Sequence, residues 1–179
     1  MQTLHPFSAQ QIKIVNQTVS LAEELVSNYY KMSASQWLRP KYDVKTLVDL
    51  TPEEIVYGPF AQIVRYEGHQ KDTALGSRVF DYYKICLQDH SIHAVLQDSP
   101  SMSLFPFCLY IITHELIHIV RFSKFLQSFD ASPQEKLTEE KRVHENTHKL
   151  LQQIKIAGMS AVFEFYGKWR EPLEGMRSR

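Results

Sequence analysis

The chain has 179 residues, 44% of them hydrophobic and 12% aromatic, with 20 lysines and arginines against 20 aspartates and glutamates. That balance, and a pI near 7.1, exclude the basic footprint of a nucleic-acid binder or of a protein held on an anionic membrane. The apolar content supports a buried core, and the length makes one domain over residues 1–179 the default.

The first residues, Met1-Gln2-Thr3-Leu4-His5, lack the basic and apolar regions of a secretory leader. Ser8 to Gln11 match a capping box, with Ser at the N-cap and Gln three residues on. Ile12, Val15, Val19, Ala22 and Val26 then fall on one stripe, which predicts a long amphipathic helix over 9–34. Glu23 and Glu24 near its middle read as solvated carboxylates. Residues 35–43 read as a connection and 44–49 as a short helix. Thr51-Pro52-Glu53-Glu54 is a second capping box with Pro in the first helical position, and Gly58-Pro59 stops the brief helix it opens.

Phe60 to Glu67 reads as a strand and Gly68 to Gly76 as a polar loop. Residues 78–87 are rich in strand-forming types, yet Val79, Tyr83 and Cys86 also satisfy a helical stripe. A helix over 78–97 is the reading adopted. His90 and His93 are three apart, and they read as surface histidines rather than a second metal site. Cys86 and Cys108 lie in apolar surroundings without CxxC spacing, so they read as reduced core thiols of a cytoplasmic protein.

After the break at Ser99-Pro100, Ser103 caps a helix with Pro106 in its first turn, running to about Leu126. It contains His114-Glu115-Leu116-Ile117-His118. Four residues apart on a helix, His114 and His118 leave one face one turn apart and can grip one metal ion. Glu115 lies about 100° round the helix, placed to reach a metal-bound water as general base. The flanks, Ile111, Ile112, Thr113, Leu116, Ile117, Ile119 and Val120, are uncharged. A buried Glu between two buried His is costly without a compensating charge, which a cation supplies directly. The apolar run from Leu104 to Val120, interrupted by these residues, reads as too short and too polar for a membrane span. Arg121 could hold a carboxylate beside the site or on a substrate.

Ser132-Pro133-Gln134-Glu135 is a third capping box, opening a helix to about Ile156 whose core line is Val143, Thr147, Leu150 and Ile154. The short connection makes it antiparallel to the motif helix, so a third ligand belongs on it. Glu139 and Glu140 fall either side of the core line, His144 sits at its edge and His148 further out.

Ile-Thr-His-Glu-Leu-Ile-His-Ile-Val resembles the active-site helix of the zincin metallopeptidases over about ten residues. The resemblance implies His114 and His118 as zinc ligands and Glu115 as general base. The metzincin extension is missing, because Ile119, Val120 and Arg121 follow His118. Zincins with a glutamate third ligand carry it on a second helix about twenty residues further on, which points to Glu139 or Glu140. Glu140 and His144 rank level as third ligand, with Glu139 behind them.

His144-Glu145-Asn146-Thr147-His148 repeats the His-Glu-x-x-His pattern among charged flanks. Glu115/His118 and Glu145/His148 together resemble the pairs of di-iron carboxylate bundles, which also need carboxylates from two other helices, with Glu23, Glu24 or Glu67 on offer. The last segment, 160–170, reads as a helix over the core.

The reading is one mainly α domain with at most a small β-hairpin in 60–87, α+β being the alternative. The function expected is a zinc-dependent hydrolase, a metallopeptidase acting on a peptide or small-molecule substrate, with no nucleic-acid or membrane partner. The alternatives are a non-haem di-iron oxidoreductase, with iron in place of Zn2+, and a non-catalytic metal-stabilised domain. Substrate and oligomeric state stay open.

Overall fold

The computed structural model describes residues 3–33, 36, 41–70 and 78–167. Its first helix, α1 (Ala9–Tyr29), starts at the expected capping box, with Gln11 N donating to Ser8 Oγ and Ser8 N to Gln11 Oε1. Val15, Ala22 and Val26 are buried, and Thr18, on the same face, satisfies its hydroxyl on Val15 O at 2.6 Å. α1 stops short of residue 34 because Lys31 takes a left-handed φ of 52°.

Next come strand β1 (Lys41–Lys45) and two 3-10 turns, Leu47–Asp49 and Pro52–Glu54. Residues 41–45 were expected as connection and helix start. They extend instead because Tyr42 and Val44 pair with Tyr83 and Ile85. β2 (Ala61–Gln70) and β3 (Arg78–Leu87) form an antiparallel hairpin, and β1 joins β3 in parallel, giving the order β1-β3-β2.

The single helix expected over 78–97 is corrected to strand β3 followed by helix α2 (Asp89–Asp98). Tyr83, Ile85 and Leu87 alternate onto the buried side, and β3 has a pairing strand on each flank. β2 pairs along the whole of β3 and β1 along Tyr82–Cys86, and this aromatic and β-branched run packs well on such a pleated surface. The molecule is mainly α with a small β element, as its composition of periodic segments implied.

Helices α3 (Leu104–Ser123), α4 (Pro133–Gln152) and α5 (Met159–Tyr166) complete the fold. α3 is the axle: it touches α1, α4, α5 and β2. From Pro106 to Arg121 each of its residues is buried except Glu115. By length and composition α3 would qualify as a membrane-crossing helix, contrary to the expectation from its polar residues, but 83% of its apolar window is buried inside the fold. Cys86 and Cys108 are both buried free thiols. α3 ends at Ser123 because Phe125 turns left-handed, φ 55°, and Leu126 N closes onto Arg121 O at 2.9 Å. α5 begins after Gly158, whose φ of 83° favours glycine and whose absent Cβ would lie 3.2 Å from Pro106 Cγ and Ser103 Oγ.

Two buried carboxylates tie the outer segments down. Asp89 accepts from Phe7 N at 2.8 Å and Leu47 N at 3.1 Å. Glu54 accepts from Lys84 Nζ at 2.7 Å, Tyr66 Oη at 2.5 Å and Thr51 N at 2.9 Å, fastening the second 3-10 turn to the sheet. The Lys84 ammonium, then the Tyr66 hydroxyl and the Thr51 amide, hold the Glu54 carboxyl down at about 2. A carboxyl depressed on folding contributes stability above its unfolded value of 4.5 and loses it as the pH falls toward 2. Urea midpoints stepped through that window should fall less steeply for Glu54→Gln than for the wild type. Equal slopes would show that the network contributes nothing to acid sensitivity.

Candidate metal centre

α3 and α4 meet where their ligand-bearing faces oppose. His114 and His118 bring Nε2 atoms to 3.2 Å from one another. From α4, Glu140 sets Oε2 3.2 Å from His114 Nε2 and Oε1 2.9 Å from His118 Nε2. Among the described residues these three form a group whose ligand atoms all lie within 4.8 Å of one another.

The donor set fits a metal on its own terms. Gln127 Oε1 lies 3.0 Å from His118 Nδ1, a contact that is a hydrogen bond when Nδ1 carries the ring proton. The neutral ring then turns a bare Nε2 lone pair toward a second imidazole and a carboxylate, and such converging acceptors call for a cation between them. Ligand atoms about 2.0–2.1 Å from a tetrahedral zinc stand roughly 3.3 Å apart; the two Nε2 atoms have that spacing, while Glu140 meets them with different oxygens. Two imidazoles and a carboxylate are also a zinc-type donor set with a position left over.

Electrostatics point the same way. Burial pushes the Glu140 carboxyl upward, but hydrogen bonds and charge from His114 and His118 win and hold it far below the usual range. Burial opposes charge on His118, yet Glu140 and Glu115 raise its affinity for a proton.

Glu115 is half-buried and opens into the same cleft, a cavity of about 1140 Å³ bounded by α3, α4, α5 and the start of β2. Burial raises its carboxyl and Glu140 adds to this, while His114 and His118 oppose it.

His144 lies beside the cluster but outside the three-residue group, with Nε2 3.8 Å from Glu140 Oε2. Its ring is 4.2 Å from that of His114, and its Nδ1 is 2.9 Å from Tyr110 Oη. Burial, then the charge on His114, depresses its pKa to about 2, so it stays neutral. Tyr110 Oη also lies 3.3 Å from His148 Nδ1. A hydroxyl has one hydrogen, so at most one of these rings accepts it, and a second bond needs the other ring to donate.

His148 is buried rather than further out, because α5 covers it and sets Phe163 4.4 Å from its ring. Its Glu-x-x-His partner Glu145 is exposed. Glu23 accepts from Tyr42 Oη beside β1, Glu24 is exposed, and the Glu67 side chain lies outside the described residues. His90 gives its Nε2 to Val56 O at 2.9 Å and His93 packs on Phe7, so they do not form a site.

Glu139, one residue before Glu140, turns the other way. Arg121 clamps it with Nε to Oε2 at 2.8 Å and Nη2 to Oε1 at 3.1 Å, and Arg142 adds 2.5 Å to Oε1. Arg121 therefore serves a carboxylate of the protein, fixing the α3–α4 register that presents Glu140.

Tyr110 and Gln127 were missed in the sequence. Tyr110 was legible, one turn before His114 on the same face. Gln127 had no signal, since only the path of the loop brings it to His118.

No family model, curated protein or solved structure matches the chain.

Arg121 and Glu139 are both buried, and removing one partner of such a pair is costly. Arg121→Met should lower the unfolding free energy by about 3 kcal/mol, read by urea denaturation, and adding Glu139→Gln should recover part of it. A single variant as stable as the wild type would refute the clamp.

Proposed function

We propose that the protein is a zinc-dependent hydrolase cleaving peptide bonds, with His114, His118 and Glu140 as the metal-holding residues and Glu115 as the acid–base group. The observation that carries this reading is the convergence of three ligand atoms within 4.8 Å at the wall of a cleft into which Glu115 also opens. Two histidines and one carboxylate leave a position for chemistry, unlike a closed four-residue site that only pins helices together. Exposure of Glu145 argues against the di-iron alternative.

Bound there, zinc would supply Lewis acidity, lowering the pKa of a water toward about 7 and polarising a carbonyl. Glu115 then takes a proton from the attacking water and returns it to the leaving amine, atom for atom a hydrolysis. Its burial favours the protonated form, which eases the return. Glu140 remains anionic, and His144 is held against it by Tyr110 at the cleft surface.

The cleft favours an extended peptide over a compact molecule. Among the described strands β2 is an edge, hydrogen-bonded to β3 alone, and residues 58–63 line the cleft. An edge strand offers unpaired amides and carbonyls to which a peptide backbone can pair. Phe60, Phe129 and Phe165 provide apolar contacts along the walls.

Elemental mass spectrometry of protein purified without chelators should find about one zinc per chain, lost in His114→Ala and in His118→Ala. Glu115→Gln should keep the zinc while peptide hydrolysis drops about 100- to 10,000-fold. Turnover that survives this change would sink the mechanism.

A further inference from the structure

Among the described residues that line the cleft, Lys136 is the one lysine or arginine, set against the carboxylates of Glu115, Glu140 and Glu164. The guanidinium groups nearby are engaged elsewhere. Arg121, expected to hold a carboxylate, is fixed with Arg142 on Glu139, and Arg65 pairs with Asp130. Glu140, one turn along α4 from Lys136, meets His114 and His118. Lys136 is exposed and has no carboxylate partner among the described residues.

The helices set where this ammonium lies along the cleft. α4 runs antiparallel to α3, so that Arg121 meets Glu139, His118 meets Glu140 and Tyr110 meets His144. Lys136, one turn before Glu140, is therefore level with the last turn of α3, where the Phe122 and Phe129 rings stand 5.3 Å apart. Glu164 belongs to the other end. Its neighbour Phe165 packs 5.9 Å from Phe60 and 5.6 Å from Phe107, in the first turn of α3. Phe107 and Phe122 are separated by roughly 22 Å along the helix axis. The cleft thus has a positive end and a negative end, with the metal-holding residues between them.

We propose that Lys136 is a specificity-determining residue that binds a carboxylate of the substrate, so that the cleft selects peptides with an acidic group on the Phe129 side of the scissile bond. The inference rests on the hydrolase reading given above. Lys136 and Glu140 are one turn apart, about 6 Å along the axis, and an extended peptide advances about 3.3 Å per residue. The acidic group then falls about two residues from the bond that is cut. A lysine head is a compact point charge with three donors on a flexible stem, suited to a carboxylate in more than one orientation. Phe122 and Phe129 keep water from one side of the pair, and Glu164 repels the same group from the far end. A chain-terminal carboxylate and a glutamate or aspartate side chain offer the same chemistry to this ammonium.

The full chain carrying Glu115→Gln is titrated with short fluorescent peptides containing phenylalanine, and binding is read by anisotropy. The peptides come as pairs that end in carboxylate or carboxamide, or that carry Glu or Gln within an amidated chain. The wild type receives the same peptides, and the bond it cuts is assigned by mass. The acidic member of a pair should bind about 5-fold more tightly than its neutral twin. A ratio confined to the first kind of pair makes the ligand a chain terminus, and one seen in the second kind makes it a side chain; either supports the proposal. Lys136→Met should erase the ratio through the acidic member, Lys136→Glu should invert it, and Lys136→Arg should keep it. Equal affinities within every pair, or a ratio that survives Lys136→Met, overturns the role of Lys136 alone. Discrimination that follows Lys136 without hydrolysis by the wild type overturns the hydrolase reading and leaves the carboxylate site standing. Failure of every peptide to bind overturns both.

Discussion

The structure depends on the cost of putting charge inside α3. This helix is enclosed by α1, α4, α5 and β2, yet its middle carries two imidazoles and a carboxylate. Water reaches that stretch mainly where Glu115 opens into the cleft. An uncompensated charge there would cost several kcal/mol, so each neighbouring element supplies a polar answer. α4 offers Glu140, the loop between α3 and α4 offers Gln127, and the Arg121–Glu139 pair ties the two helices together. The apolar surroundings and the polar centre thus belong to one arrangement, because a dry setting strengthens every interaction within it.

How legible this was in the sequence depended on the range of each signal. The three capping boxes at Ser8, Thr51 and Ser132 are local, and all three open helical turns at the residues expected. His114, Glu115 and His118 are likewise set by helical spacing alone. Glu140 needed a second helix in a particular register, and spacing could not separate it from His144. The distinction came from distance, which leaves His144 outside the three-residue group with Nε2 3.8 Å from Glu140, and from Arg121, which takes Glu139.

What the sequence obscured was long-range pairing. Residues 78–87 satisfy two periodicities at once, and the choice was made by β1 and β2 on either flank, one of them about forty residues earlier in the chain. β1 itself is five residues long, and its alternation of Tyr42 and Val44 with charged residues was a strand signal too short to stand out after Pro40. His148 looked wet because of its charged neighbours Lys149 and Glu145. Its burial depends on α5, whose path back over α4 is set by the turn at Gly158.

That turn has a further bearing on how the cleft can vary. A Cβ at Gly158 would stand 3.2 Å from the side chains of Ser103 and Pro106, so the N-terminus of α5 lies close against the first turn of α3. Ala161 and Phe165, which face the cleft from α5, also pack against the core, Phe165 standing 5.6 Å from the buried Phe107 ring, whereas Glu164 is exposed. On this wall a change in side-chain size therefore reaches the interior, and only the charge at Glu164 can vary without it.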